Sequence, residues 1–505
     1  MKSRLMSVLL AALMLSSSFA MFACGESEVN SETTAAQNTT SSASGENAEE
    51  VVDESKLTDY ERRQRIPDNL PEVKFDGAEF RVMSRETYAG WQYSTEIAVE
   101  ELTGDACNDA VYNRNVKIEE RFDVDISVTE NTETQNTVKT FVTAGTPDYH
   151  LVGFFDYQSY VPISAGVLMN WLEAPMVDLE QPWHNKLAND GATINNILYT
   201  ICSDLSITSM TYTHAIFANT ELLADYGYLT NDVYGFVKEG TWTIDKLMEM
   251  TTNMYIDENG SGTADASDTY GFGYQITNPG DVWLTAFGEK VSEFKDGQVV
   301  LTFMSDKTVS ILEKLLEFHY NNQGFTKLTT QYDEETYFLE EKLVMAPMRF
   351  SAAYNKLRTM DAVYTMLPFP KWDETQEGYY TNADDKFTVF GLPLTSAPDI
   401  EYVSIIFEAM AAESYKMVFP AYYDQALKGK YSSDATTAEM VEMIMAGRAF
   451  DFSFQFGESC FQRLPYMIRD HLVDNDPNLA SAYKKLEKPL SKTMDKILGK
   501  AYNLE

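Results

Sequence analysis

Between Glu79 and Phe155 the chain runs through five segments that alternate between two kinds of pattern, and that alternation most restricts its fold. Glu79–Ser84 (EFRVMS) reads as a buried strand. Asn108–Phe122 carries Val111, Val116, Ile118 and Phe122 at helical spacing among charges, an amphipathic helix. Val124–Val128 is a second strand, Glu133–Ala144 a second helix and Tyr149–Phe155 (YHLVGFF) a third strand. A β-α-β-α-β run predicts a parallel sheet with helices on its faces, because parallel strands need a crossover long enough to hold a helix. Ligands of such sheets bind outside the carboxyl ends of the strands. The loops Arg85–Tyr93 and Asp156–Pro162 follow the first and third strands, and both hold aromatics: Tyr88, Trp91, Tyr93, Tyr157 and Tyr160.

The chain's start gives an address. Lys2 and Arg4 precede an apolar stretch, Leu5–Ala20, which closes on Met21-Phe22-Ala23-Cys24. A basic head, an apolar core and a small residue before the cut describe an export signal. The stretch is short for a membrane span. A Cys at the cut resembles the lipobox of bacterial lipoproteins, with Met21 where Leu is usual. The resemblance implies cleavage after residue 23 and a lipid on the Cys24 thiol. Residues 24–56 are mostly Ser, Thr, Ala, Asn and Glu, too polar to offset the entropy of ordering, and so predict a flexible tether.

About 450 residues remain, enough for two or three domain-sized units. Formal net charge is −38, from 39 basic and 77 acidic side chains. That excludes nucleic acid and anionic lipid surfaces as partners, since both need clustered Lys and Arg. Only Cys107, Cys202 and Cys460 follow Cys24. They allow one disulfide at most, so cystine is not the scaffold. Downstream, Leu198–Ser209, Thr213–Asn219, Lys342–Met348 and Lys386–Leu394 read as extended. Trp242–Tyr255 (capped by Thr243), Ser305–Tyr320, Ile400–Ala412, Thr437–Ala446 and Asn478–Leu498 read as helices.

The order of these elements resembles the extracellular solute-binding lipoproteins of ABC importers, especially carbohydrate-binding members from Gram-positive bacteria. The likeness is carried by Ala110-Val-Tyr-Asn-Arg-Asn115 running into Glu119–Val124, by Phe217-Ala-Asn-Thr-Glu-Leu-Leu223 followed by Gly240-Thr-Trp-Thr243, by Ala346-Pro-Met-Arg-Phe350, by Phe387–Pro393 and by Asp451-Phe-Ser-Phe454. It implies a two-lobe α/β periplasmic-binding-protein-like fold of type II, with hinge strands crossing between lobes. The expected division is signal 1–23, tether 24–56, lobe 1 at 57–210, lobe 2 at 211–385, a return to lobe 1 at 386–432, and lobe 2 with C-terminal helices at 433–505. It also implies a monomer on the outer face of the membrane that captures a solute in the interlobe cleft and hands it to permease subunits.

The cleft is expected to be lined by Trp91, Tyr93, Tyr157, Trp283, Arg349, Phe350, Asn382, Asp384 and Asp385. Sugar C–H faces stack on aromatic rings, and hydroxyls need carboxylates, amides and Arg. An oligosaccharide is favoured by the plentiful aromatics, and a peptide or lipid-derived polyol stays open. Asp257, Asn259, Ser261, Thr263, Asp265 and Asp268 have the spacing of a calcium loop, with Gly262 at the sharp turn. Ser261 and Asp268 stand where Asp/Asn and a bidentate Glu are usual, so a solvated Asp/Gly turn is the competing reading. The segment directly after the loop reads as a strand, which would make the loop a structural clip. Catalytic readings find little. The five His form no metal-binding pair, and neither a nucleophile elbow nor a P-loop is present. A secreted glycoside hydrolase or another surface lipoprotein is the alternative.

Overall fold

A computed structural model describes residues 57–88, 90–330, 332–423 and 435–504, which form one compact unit. Cys24, the export signal and the tether lie outside the described residues.

Thirteen strands are named here in chain order: β1 Ala78–Ser84, β2 Val124–Glu130, β3 Leu151–Phe155, β4 Thr200–Ile201, β5 His214–Asn219, β6 Tyr255–Ile256, β7 Thr269–Gln275, β8 Ser292–Lys295, β9 Gln298–Leu301, β10 Phe325–Leu328, β11 Leu343–Arg349, β12 Tyr364–Leu367 and β13 Thr388–Gly391. The first sheet has the order β2-β1-β3-β13-β4. β1 runs parallel to β2 and β3, while β13 runs antiparallel to β3 and β4. The second sheet has the order β10-β7-β11-β5-β12, with β6 paired to β7. The chain therefore passes from the first sheet to the second between β4 and β5, and returns between β12 and β13.

Both faces of the first sheet are covered, as parallel strands require. Phe80 and Val82 face Ile118 and Phe122 of helix Ala106–Phe122 and Phe407 and Met410 of helix Ile400–Glu413. Met83, Val152 and Phe154 face Val138 and Phe141 of helix Thr134–Ala144. Local signals set the helix starts. Asp105 accepts the N–H groups of Cys107 and Asn108, Thr243 that of Lys246 and Ser305 that of Thr308. Such caps satisfy donors that the first turn leaves free.

Three extents differ from the sequence reading, one of them Lys386–Leu394, of which Thr388–Gly391 forms the strand. Of Leu198–Ser209, only Thr200–Ile201 forms a strand, and Thr208–Thr211 is a helical turn. Ser and Thr side chains there bond the nearby backbone, with Thr208 N–H donating to Ser206 Oγ at 3.3 Å, and so compete with the ladder. The helix expected over Trp242–Tyr255 is Ile244–Thr251, because Tyr255 and Ile256 pair with β7 instead. No two of Cys107, Cys202 and Cys460 form a disulfide. Among the described residues no helix is long and apolar enough to cross a membrane.

Candidate functional site

The carboxyl ends of β1 and β3 in one sheet and of β7 and β11 in the other point toward the segment Asn382–Lys386. Backbone bonds fasten that segment to both sheets. Asp156 N–H donates to Phe387 O and Tyr157 N–H to Asp385 O, each at 3.1 Å, while His214 N–H donates to Asn382 O at 3.2 Å.

Beside this junction lies a cavity of about 660 Å³. One wall comes from the first sheet: Asp156 after β3, Thr200 on β4 and Val389 on β13, together with Asn189 on helix Lys186–Ala192. Thr285 and Glu289, at and beyond the end of helix Asn278–Ala286, face it from the second-sheet side. The segment Gly447–Gln455 closes the third side and brings Phe450, Phe452 and Phe454. Its path is fixed by Thr381, whose N–H donates to Gly447 O and whose carbonyl accepts from Ala449. No side chain fits at Gly447, since a Cβ there would lie 2.1 Å from the Tyr379 carbonyl oxygen. The Gln455 amide donates to Ser159 Oγ and Thr200 Oγ1, both at 2.8 Å, and reaches Asp156 Oδ1 at 3.4 Å.

Next to the cavity a charged node ties the two sheets together. Asp384 lies 3.7 Å from Arg349 Nη1 and 3.4 Å from Lys386 Nζ, and it accepts from the Asn278 amide. The Arg349 guanidinium sits 4.4 Å from the ring centre of Tyr212 and 4.6 Å from that of Tyr332. Lys386 also pairs with Asp385 at 3.6 Å, and Tyr466 Oη donates to Asp385 at 2.6 Å. Burial by itself would raise the Asp384 carboxyl; the Lys386 and Arg349 charges outweigh it and hold the group below the usual carboxylate range. Burial, with the Asp385 carboxyl beside it, pushes Asp156 up to about 8.

The structure divides the nine residues expected in the cleft. Asn382 and Asp385 line the cavity. Arg349 and Asp384 form the node. Tyr157 stacks on Phe155 with ring centres 5.9 Å apart, and Lys386 Nζ stands over its ring. The other four are packed against protein. Trp91 meets the rings of Tyr212, Tyr354 and Tyr422 edge-on, and Tyr93 Oη bonds Tyr212 Oη at 2.7 Å. Phe350 is fully buried in the same apolar cluster. Trp283, expected as a ligand platform, is core instead. Its helix turns that face onto β7, where Phe318, Phe369 and Phe287 enclose it.

Sequence reasoning did not select Asp156, Asn189, Arg448, Phe450 or Gln455 as binding residues. A usable signal was the aromatic-rich run Phe450-Asp-Phe-Ser-Phe454, whose three Phe residues line the cavity.

The calcium-spaced loop joins β6 to β7. Asp257 accepts the N–H groups of Ser261 and Gly262, and the Asn259 amide donates to Asp265. Asp257, Asn259 and Asp265 keep acceptor lone pairs. Asp268 does not fit a bidentate role. It is fully buried, and its Oδ2 already accepts Tyr255 O–H and Asp265 N–H. Among the described residues no three His, Cys, Asp or Glu side chains form a ready metal site.

Two α/β lobes whose strand ends face a shared cleft, joined by a chain that crosses more than once, make up a two-lobe periplasmic-binding-protein-like fold. The structure of the maltose/maltodextrin-binding domain MalE from Bdellovibrio bacteriovorus, bound to maltotriose, is similar to this chain with a TM-score of 0.55 and 13% identity, over 83% of this chain and 100% of that one. No family model and no curated protein sequence matches the chain.

Proposed function

We propose that this protein captures an oligosaccharide in the 660 Å³ cavity and delivers it to the permease of an ABC importer, without chemistry on the sugar. The observation that carries the reading is the cavity's make-up. Phe450, Phe452, Phe454 and Tyr380 supply ring faces, and Asp156, Asn189, Asp385 and Gln455 supply polar atoms. This is the mixture a sugar needs. Walls from both sheets let one ligand favour the closed arrangement over an open one. The MalE structure bound to maltotriose supports the same reading through its fold.

The test is a thermal-shift panel of neutral, acidic and basic oligosaccharides and of peptides. A ligand at a hundredfold its Kd is expected to add about 2.7 kcal/mol of stability, a rise of several degrees, and to be recovered uncleaved. A shift by peptides with none by sugars overturns the carbohydrate reading, and release of shorter sugars returns the hydrolase. The Cys24 lipobox and the polar stretch after it support anchoring at the outer face of the membrane. Cys24→Ser is accordingly expected to release the protein into the medium, and a variant that stays with the membrane fraction sinks the anchor.

We also propose a structural Ca²⁺ in the Asp257–Asp268 loop, held by Asp257, Asn259, Ser261, Thr263 and Asp265, with Asp268 giving at most one oxygen. Calcium would add a rigid oxygen-ligated clip to the β6–β7 connection. Calorimetric titration of chelator-treated protein is expected to show saturable heat together with a higher melting temperature, and the absence of both removes the ion.

A further inference from the structure

The cavity is lined by more carboxylates than cations, and most of its charged groups are already engaged. Among its acidic residues, Asp190 has Lys186 at 3.8 Å and Glu289 has Lys307 at 3.1 Å. Asp451 accepts the N–H groups of Val291 at 2.8 Å and Ser453 at 2.9 Å. Of the two basic residues, Arg448 spends its guanidinium on the carbonyls of Met445 and Ser209, and Lys290 is exposed.

Asp156 and Asp385 remain, side by side through the backbone bonds that join their segments. Asp385 shares Lys386 with Asp384. Among the described residues no Lys or Arg stands within ion-pair reach of Asp156, whose one side-chain partner is the Gln455 amide at 3.4 Å. Burial and the neighbouring carboxyl raise its pKa to about 8, as expected of an acid that lacks a counter-charge.

A second observation points the same way. Asn382 also lines the cavity and is 8% exposed, yet among the described residues its Oδ1 has no hydrogen-bond partner. Asp281 Oδ1 is in the same state in the adjoining space of about 10 Å³ that Asn382, Asp384 and Asp385 also line. Buried acceptors without a donor are costly, and native proteins rarely keep them. What this end of the cavity lacks is therefore donors and positive charge. An ammonium group supplies three donors, one charge and no acceptor.

We infer that the solute taken by this cavity carries a cationic amine, making it an amino-sugar oligomer of the glucosamine type, with Asp156 as the residue that meets the ammonium. The inference rests on the carbohydrate reading of the same cavity. An oxyanion sugar is disfavoured by the same unpaired acceptors, and a neutral glucan would leave Asp156 without its partner.

The experiment compares trimers of glucosamine, N-acetylglucosamine, glucose and galacturonate by titration calorimetry at low salt and pH 7.5, in two buffers of different ionisation enthalpy. The proton that an ammonium displaces from Asp156, held at about 8 in the free protein, is then read together with binding. N-acetylation removes the charge and adds one small group. The glucosamine trimer is expected to bind at least about tenfold tighter than its acetylated counterpart and than the glucose trimer. In Asp156→Asn that preference is expected to collapse to within about threefold. Equal or tighter binding of a neutral or acidic trimer by the wild type overturns the inference and leaves the sugar reading standing. An Asp156→Asn variant that loses all trimers alike assigns Asp156 a shape-keeping role and also overturns it. Failure of every trimer to bind removes the carbohydrate reading together with the inference. Should Asp156→Asn fold poorly by circular dichroism, the wild-type series decides the matter without it.

Discussion

Trp283→Ala is expected to lower the stability of the folded unit by about 3–5 kcal/mol, the range for removing a fully buried large aromatic side chain. The ring is 0% exposed and packs against four other aromatic rings, with Phe369 nearest at 5.1 Å between centres. Part of the cost is polar. Trp283 Nε1 donates to Tyr274 Oη at 2.7 Å, and that oxygen lies 2.6 Å from His319 Nε2. His319 Nδ1 faces the Leu315 carbonyl at 2.6 Å, which can only accept, so Nδ1 carries the proton. Burial lowers the His319 pKa to about 4, which keeps the ring neutral and makes Nε2 the acceptor for Tyr274. Removing the indole therefore takes the donor from one end of a buried relay. Trp283→Phe keeps most of the volume and loses that donor, for an expected cost of about 1–2 kcal/mol. Urea unfolding measures both. Ligand affinity of the folded fraction is expected to stay within about threefold of wild type in Trp283→Phe. A large loss of affinity with unchanged stability would return Trp283 to the ligand's surroundings.

That contrast shows where sequence reading reached its limit. Periodicity located β1, β2 and β3 and the helices between them to within a few residues, because one buried face repeats every two or every 3.6 residues. The strand-end rule pointed to the loop that begins at Asp156, and Asp156 is the residue of that loop that lines the cavity. Residue type could not sort platform from core. Trp91 and Trp283 have the same chemistry as a sugar platform, but whether a ring faces a cavity depends on packing partners such as Tyr422 and Phe369, distant in sequence. The third wall was less legible still. Gly447–Gln455 reaches the site through a pairing with Thr381 and a glycine contact at Tyr379. Neither leaves a periodic trace. Arg349, Asp384 and Asp385 were legible as polar groups beside strands, but their mutual pairing was not.

Removing one member of that node has the other large expected effect. Asp384→Ala is expected to cost about 3–5 kcal/mol, the range for breaking a buried ion pair from one side. Arg349 is 5% exposed, held between two tyrosine rings, and would keep its charge with no carboxylate in direct ion-pair contact among the described residues, Glu335 acting only at longer range. Lys386 would still have Asp385 at 3.6 Å, so the burden falls on Arg349. Arg349→Met in the same chain is therefore expected to restore much of the loss, because the two aromatic faces accept an apolar side chain and the uncompensated charge is gone. The double variant is expected to be more stable than Asp384→Ala alone, and the cycle built from both singles gives the coupling directly. Because β11 carries Arg349 and the Asn382–Lys386 segment leads into β13, the node spans the junction between the two sheets. Loss of the pair with packing restored therefore separates two roles. If the node only holds the sheets together, the double variant binds ligand as the wild type does. If it sets the approach of the two cavity walls, the double variant is stable yet binds about tenfold more weakly, the size of a coupling near 1.4 kcal/mol. The second outcome is expected, since Asp385, adjacent to Asp384, lines the cavity itself.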